Sequence, residues 1–156
     1  MQPDLRGFEY AVEPLRQQRR WHVERVLAEL GRLQHDISQA QEVVRRFCIE
    51  YEGHARAIAE TIHQRFDIDT HRRGLYWLAA LRSQILESES RLDMLQQKKV
   101  EMQQAFVLAQ QKLDVMERHR DESIADYAQA QNGRLLAQAD QDWMARQGRR
   151  EEGGGV

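Results

Sequence analysis

Residues 23–51 read VERVLAELGRLQHDISQAQEVVRRFCIEY, and large apolar side chains recur in this stretch at alternating steps of three and four. Such spacing aligns side chains in one stripe along an α-helix, the pattern of a coiled-coil seam. We call this series the first seam, and its members are Val23, Val26, Leu30, Leu33, Ile37, Ala40, Val44, Phe47 and Tyr51. The series continues, after an extra step of four, with Ala55, Ile58 and Ile62. It predicts a long helix that needs a partner helix.

A second seam with the same period follows later in the chain. Its members are Leu78, Leu81, Ile85, Ser88, Leu92, Leu95, Lys99, Met102, Phe106, Ala109, Leu113 and Met116. The stretch 66–74 between the seams breaks the periodicity, and Asp69 or Thr70 could cap a new helix there. Because a single helix leaves its apolar stripe in water, we expect the two seams to pack against each other.

The sequence therefore predicts an all-α fold in which two long helices form an antiparallel coiled-coil hairpin. We expect helix 1 at about 12–65, a turn at about 66–73 and helix 2 at about 74–147. These elements form one expected domain, 1–147, followed by a disordered Gly-rich tail, 148–156. A turn near residue 70 pairs positions whose numbers add to about 140, which sets Leu33 near Phe106 and Phe47 near Leu92.

Composition argues against catalysis and against nucleic-acid binding. The formal net charge is −2, with 23 basic and 25 acidic residues well mixed, so the basic footprint of a nucleic-acid binder is missing. Cys48 is the only cysteine, and none of the six histidines has another three or four residues away to share a metal ion. A two-helix coiled coil also offers no enclosed pocket for a substrate. We expect no enzyme activity, no cofactor and no metal, and we interpret Cys48 as a small residue beside the seam.

Localisation follows from the absence of long apolar runs in the sequence. No stretch approaches the roughly 18 apolar residues of a membrane span, and the first ten residues carry no apolar core of a signal peptide. We expect a cytoplasmic protein.

The end of the predicted hairpin that carries both chain termini has several unusual features. Arg16, Arg19, Arg20 and Arg25 surround Trp21. The expected register places Arg19 and Arg120 in one core layer, where like charges repel, so we expect the helices to splay or to take an acidic partner there. Helix 2 also outruns helix 1 beyond about residue 130, which leaves Leu135, Leu136 and Trp143 exposed unless something binds them.

Three motifs resemble the FliJ/SctO family of bacterial type III export proteins, which includes the YscO and HrpO type. FEYAVEPL at residues 8–15 is similar to the family's opening of two aromatics before a helix start. FCIEY at residues 47–51 resembles the aromatic-x-x-Glu-Tyr of flagellar members, and DQDWMAR at residues 140–146 resembles the acidic-aromatic-x-x-Arg ending. The length and the hairpin layout fit the family over the whole chain.

The resemblance implies a two-helix stalk that couples the export ATPase ring to the export gate. It implies that the terminal end enters the ATPase hexamer, and that the protein contacts the cytoplasmic domain of the gate protein and export chaperones. If this end enters the ring, we expect its own unusual residues to bind there, namely Arg16, Arg19, Arg20, Arg120, Leu135 and Trp143. The implied gate-binding residues are Ala40, Val44, Phe47 and Tyr51, although periodicity alone favours a core or boundary position for Phe47 and Tyr51.

Two other functions fit the same pattern. One is an escort or holdase chaperone whose splayed end binds client helices, and the other is a scaffold whose exposed seam self-associates into a four-helix bundle. A stalk is expected to be monomeric when free, which separates it from the scaffold. The sequence does not choose between the flagellar and injectisome branches.

Overall fold

Two long helices account for the fold. The computed structural model describes residues 5–64 and 67–152, with side chains described as far as residue 148. Helix α1 spans Glu13–Gln64 and helix α2 spans Ile68–Glu152, and the two pack against each other. The predicted all-α helical hairpin is confirmed. Within the described ranges, neither helix contains a segment long and apolar enough to cross a membrane.

The chain divides into two compact units, and each helix contributes to both. His22–Ala109 forms one unit, which we call the hairpin unit. The residues up to Trp21 and those from Gln110 onward form the other, which we call the terminal unit. The hairpin unit contains the turn, and the terminal unit contains the start of α1 and the long C-terminal part of α2.

Burial follows the two seams. The buried core residues are Val23, Val26, Leu33, Ile37, Leu81, Ile85, Ala109 and Leu113, and every one is a seam member. All other predicted seam members are half-buried except Ile62, which is 45% exposed near the end of α1. A fully buried aliphatic side chain contributes about 1.5–3 kcal/mol, so each of these residues contributes more than a half-buried seam member of the same size.

The turn is shorter than the sequence predicted. The carboxylate of Asp67 accepts hydrogen bonds from the main-chain N–H groups of Asp69 and Thr70, both at 3.3 Å, and from the Thr70 hydroxyl. Asp67 is therefore the N-cap of α2, and the expected cap at Asp69 or Thr70 is wrong. Because this cap lies so early, α2 begins at Ile68 rather than at residue 74. The first predicted turn residue, 66, lies outside the described residues.

Gly74 belongs to α2 instead of ending the turn. A Cβ atom built on Gly74 would lie 2.8 Å from Cδ1 of Ile58, closer than real Cβ contacts. The missing side chain thus allows α2 to approach α1 closely beside the turn. Next to this contact, the rings of His54 and Trp77 meet edge to face with centroids 5.9 Å apart.

Contacts in the hairpin unit also revise the register. Nζ of Lys99 donates a 2.6 Å hydrogen bond to Oε1 of Gln34, and His54 meets Trp77 as described above. The residue numbers of these pairs add to 133 and 131, against the expected 140. The helices are therefore offset by about one heptad from the predicted register.

This offset has a simple physical reason. The expected pairs do not hold: Leu33 with Phe106, and Phe47 with Leu92. Moving the centre of the turn by three to four residues changes the sum of paired residue numbers by about seven, and a seam that repeats every seven residues then again lies opposite a seam. The periodicity therefore predicted which side chains are buried, but the length of the turn decided their partners.

The helix ends differ from the prediction mainly at the C-terminus. Helix α1 begins at Glu13, one residue after the expected residue 12, and Pro14 lies in its first turn, where its missing N–H costs nothing. Helix α2 continues to Glu152, so residues 148–152 of the expected disordered tail are helical. Arg and Glu in this stretch are good helix formers, whereas the three consecutive glycines begin only at residue 153. Residues 153–156 lie outside the described ranges.

We predict that Asp67→Ala lowers the melting temperature, because it removes the acceptor for two helix N–H groups, whereas Asp67→Asn retains the cap and melts close to wild type. The Thr70 hydrogen bond, the largest cause, lowers the pKa of Asp67. The capping contribution is therefore complete above the ordinary pKa and disappears as pH falls through the lowered value. Thermal melts followed by circular dichroism over acidic pH test both points. Equal melting of the Ala and Asn variants would contradict the cap.

We predict that Gln34 reports the register. Gln34→Lys places two cations together at Lys99 and destabilises the fold, whereas Gln34→Glu forms an ion pair and stabilises it, with each effect about 0.2–1 kcal/mol. Repeating both substitutions in a Lys99→Gln background is the control, because the difference between them should then vanish. Urea unfolding measures the free energy of unfolding of the four variants, Gln34→Lys and Gln34→Glu in each of the two backgrounds. A difference that survives in the Lys99→Gln background would show that Gln34 faces another part of α2.

Candidate protein-binding surfaces

An ion cluster joins the start of α1 to α2 in the terminal unit. The Arg16 guanidinium donates two hydrogen bonds to the Glu13 carboxylate, at 2.6 and 2.9 Å. A second carboxylate, that of Glu117, lies 3.7 Å from the same guanidinium, and Nε of Arg120 lies 3.9 Å from Glu13. The cluster therefore alternates acidic and basic groups across the two helices.

These contacts perturb the charges in a consistent direction. Hydrogen bonding to Arg16 holds the pKa of Glu13 below its ordinary value, against the opposing effect of desolvation. The same hydrogen bond raises the pKa of Arg16. Glu13 is thus ionised at neutral pH, and it holds Arg16, whose side chain is only 16% exposed, against the protein.

The expected like-charge layer of Arg19 and Arg120 is replaced by this cluster. Glu13 lies beside Arg120 and supplies the acidic group that the prediction sought from a partner protein. Arg16 and Arg19 are half-buried, and Arg20 is exposed on the surface of the terminal unit. The sequence missed this arrangement because it used a register one heptad away.

The residues before α1 pack on α2, which the sequence did not predict. We call residues 5–12 the N-terminal strap. Tyr127 donates a 2.7 Å hydrogen bond to the main-chain oxygen of Arg6, and its ring meets Phe8 edge to face at 5.5 Å. Between them, Gly7 has a φ of +84°, which side-chain-bearing residues rarely adopt. Gln131 donates to the Tyr127 hydroxyl and completes this contact.

Tyr10 fastens the other end of the strap. Its hydroxyl lies 2.8 Å from Nδ1 of His119 and donates at 3.3 Å to the main-chain oxygen of Met116. Its own main-chain oxygen accepts the N–H of Glu13, which leads directly into α1. The strap is therefore held at two points of α2, His119 and Tyr127. The aromatic residues Phe8 and Tyr10 are a signal in the sequence for this contact, but they were interpreted only as part of a family motif.

Beyond the strap, α2 has no cover. All residues from 132 to 148, which we call the α2 extension, are exposed. The largest apolar ones are Leu135, Leu136, Trp143 and Met144, at 60–68% exposure. The predicted exposure of Leu135, Leu136 and Trp143 is thus found, and the extension lies in the same unit as the ion cluster around Glu13.

The residues expected to bind the gate lie in the hairpin unit on the seam side of α1. Ala40, Val44, Phe47 and Tyr51 are all half-buried, so each offers only an edge to a partner. Ala40 also lines an open groove of about 420 Å³ that Leu95 of α2 closes on the other side. Placement on the seam is what both the core and the interface interpretations expected.

No catalytic arrangement emerges from the described side chains. Among them, no three His, Cys, Asp or Glu residues lie close enough to hold a metal ion. Cys48 is a free, half-buried thiol beside the first seam. The candidate surfaces for binding another protein are the α2 extension, the basic residues of the same unit and the exposed edges of the seam.

We predict that Glu13 makes stability acid-sensitive. Because its pKa is lowered in the folded protein, its stabilising effect is complete above the ordinary value of about 4.5 and is lost as pH falls through the lowered value. Glu13→Gln should therefore reduce the loss of melting temperature between about pH 7 and about pH 3. Glu29→Gln, an exposed acid farther along α1, is the control and should melt like wild type at each pH. An unchanged acid dependence of the Glu13 variant would contradict the cluster.

Comparison with known proteins finds no counterpart. No protein-family model, no curated protein sequence and no solved structure matches the chain. Functional inference therefore depends on the chain's own residues and on the resemblance of its motifs.

Proposed function

We propose that the chain is a non-enzymatic central-stalk component of a bacterial type III protein export apparatus, flagellar or injectisome. In this role it couples the export ATPase ring to the export gate, in the cytoplasm at the inner-membrane apparatus. The α2 extension is the observation that supports this proposal most directly, because its large apolar side chains have no cover within the described chain. The three motifs that resemble the FliJ/SctO family give the extension a specific partner.

The extension and the nearby charges suit insertion into a ring. An apolar collar can bury Leu135, Leu136 and Trp143, and aromatic side chains of this kind often anchor interfaces. Arg19 and Arg20 lie in the same unit and can meet acidic loops at the rim of the ring. Arg16 and Arg120 contribute less directly, since Glu13 already lies against both.

The proposed mechanism needs no catalytic group in the stalk. A single asymmetric helix in a hexameric ring contacts the six subunits differently, and it therefore binds some nucleotide states more tightly than others. This differential affinity shifts the subunits toward those states and favours the assembled ring. The stalk thereby acts as an allosteric effector of the ATPase.

Gate contact would use the hairpin unit. Phe47 and Tyr51 are half-buried on the seam side of α1, and Ala40 lines a groove between the helices. We propose that the gate's cytoplasmic domain contacts the exposed edges of Ala40, Val44, Phe47 and Tyr51. Export chaperones are further proposed partners, and nucleic acid is not.

An escort chaperone is the second candidate, and the same extension favours it. An uncovered helix end with exposed apolar side chains can bind the apolar face of a client helix as well as a collar in a ring. The two functions differ in what the extension recognises. An ordered ATPase ring supports the stalk, and partly folded export clients support the chaperone.

We predict that the double variant Leu135→Ser with Trp143→Ser loses most of its stimulation of the export ATPase, because it removes the apolar anchors. The matched control is Leu108→Ser, since Leu108 is 58% exposed on the same helix but belongs to the hairpin unit. Circular dichroism should show unchanged helicity for both variants. ATPase rate measured against stalk concentration gives the result.

Salt and charge reversal give the second arm of this experiment. Stimulation should fall as ionic strength rises, and Arg19→Glu with Arg20→Glu should weaken it further, because like charges then oppose the encounter. Full stimulation by both the apolar and the charge variants would reject insertion of this end and favour the chaperone.

A further inference from the structure

Seven exposed residues of α2 form a regular series in the hairpin unit, separate from both seams. They follow one another at steps of seven, with one step of four in the middle, and they are Ile68, Leu75, Arg82, Leu86, Asp93, Val100 and Val107. At 3.6 residues per turn, all seven fall within about 60° of one another around the helix, to one side of the second seam. We call this set the outer series.

Five members of the outer series are large apolar side chains without cover. Between 50% and 67% of the side chain is exposed in Ile68, Leu75, Leu86, Val100 and Val107. Val100 and Val107 also line a shallow surface groove together with Leu108. Single exposed apolar residues are ordinary, but a regular series of them along one side of a helix is typical of a surface that another helix covers.

The two charged members of the series lack an opposite charge in the described part of the chain. Among the described side chains, no ion pair involves Arg82 or Asp93. The positions three and four residues from Arg82 are all apolar, and those around Asp93 carry no cation. Other charges of the hairpin unit do pair at this spacing, as Glu42 does with Arg45. Arg82 and Asp93 are therefore both available to opposite charges on another molecule.

The outer series matches itself when it is reversed. Three pairs have residue numbers that add to 175, namely Ile68 with Val107, Leu75 with Val100, and Arg82 with Asp93. Two copies in antiparallel orientation therefore place apolar side chains opposite apolar side chains and arginine opposite aspartate in a single register. Leu86 lies close to the two-fold axis of such a pair and contacts its own copy.

The charges argue for the occupant and for its orientation. In the antiparallel pair, Arg82 of each copy meets Asp93 of the other, so the interface contains two ion pairs. A parallel pair would instead set each charge against the same charge of the second copy, which is repulsive. A second antiparallel copy thus supplies at once the cation, the anion and the apolar side chains that this surface can accept.

Charges beside the series are compatible with the same register. Arg72 and Glu101 flank the series, and their residue numbers add to 173, so they approach each other across the interface as well. Glu89 lies near the two-fold axis and approaches its own copy. Arg82 of the second copy lies about one helical turn from Glu89, so it offsets this repulsion.

The start of α2 sets the length of the pairing. Because α2 begins at Ile68, which lies opposite residue 107 of the second copy, the paired stretch runs from 68 to 107 and contains 40 residues. This is more than five heptads, above the roughly three to four expected of a coiled coil. The whole stretch belongs to the hairpin unit.

We propose that a second copy of the chain binds the outer series of α2 in antiparallel orientation, about a two-fold axis near residue 87. Both seams stay paired within each copy, so this contact differs from self-association through an exposed seam. The inference goes beyond the proposed export function and does not rest on it, because the α2 extension is not part of the paired stretch. It replaces the monomer expected of a free stalk, and a single copy would enter the ring after the dimer dissociates.

Sedimentation equilibrium of the full chain tests the surface. Wild type should form a concentration-dependent dimer, and Leu75→Ser with Val100→Ser should weaken the dimer about tenfold or more by removing apolar contacts from both halves of the series. Leu27→Ser is the matched control, because this side chain is 56% exposed on α1, outside the outer series, and should leave the dimer unchanged. Circular dichroism should show wild-type helicity for every variant.

A charge exchange tests the orientation. Arg82→Asp and Asp93→Arg should each weaken the dimer about three- to tenfold, because each alone places like charges together at two sites. The chain that carries both substitutions restores opposite charges and should associate like wild type. In a parallel pair, each substitution would only exchange one like-charge contact for another, so neither weakening nor rescue would occur.

Cysteine cross-linking tests the register. Leu75→Cys and Val100→Cys chains, both with Cys48→Ser, should form an intermolecular disulfide when they are mixed in oxidised glutathione. Neither chain should cross-link with itself, because its two cysteines would lie about 38 Å apart along the antiparallel helices.

The opposite results would overturn the proposal. A chain that stays monomeric up to about 1 mM would do so and would leave this surface to a helix of another protein. A dimer that the Leu27 variant weakens as much as the outer-series variant would place the interface elsewhere. Charge variants without rescue, or a cysteine variant that cross-links with itself, would reject the antiparallel register. The export ATPase enters none of these assays, so failure of the stalk function would leave their results unchanged.

Discussion

Mutual burial of two apolar stripes is the constraint on which the structure depends. Each helix carries a single seam, and a lone helix would leave that seam in water. The buried residues Ile37 on α1 and Ile85 on α2 are 3% and 2% exposed, whereas the described residues of the α2 extension, which has no partner, are all exposed. Burial is thus decided by whether a partner lies opposite, and hydrophobicity alone does not achieve it.

A repeating seam leaves its own register undetermined. Any shift of seven residues again places apolar positions opposite apolar positions, so the energy of burial changes little between registers. Local chemistry at the turn removes this degeneracy. Asp67 starts α2 early by capping it, and Gly74 lets α2 approach Ile58 closely. Two residues outside the seams therefore choose the register that the seam residues adopt.

Helix α2 is longer than helix α1, and the terminal unit contains the part of α2 that extends beyond the start of α1. The strap covers part of the surplus length of α2 through Phe8 and Tyr10, and the Glu13 carboxylate lies against Arg16 and Arg120 where α1 begins. The remaining extension stays bare, with Trp143 60% exposed near its end. The terminal unit therefore combines a stretch of α2 that the strap covers with a helix end whose described residues are all exposed.

The sequence by itself determined the helical fold class and the seam positions, because heptad spacing fixes which side of a helix is apolar, and it determined the exposure of Leu135, Leu136 and Trp143, because the second helix is longer than the first. It could not determine the register, since patterns offset by a heptad are equivalent, nor the pairing of Arg120 with Glu13, which depends on that register. It also could not place the strap on Tyr127, because contacts between residues more than a hundred positions apart carry no periodic signal. Tertiary structure decided these features: the residues concerned become neighbours only after the helices have packed.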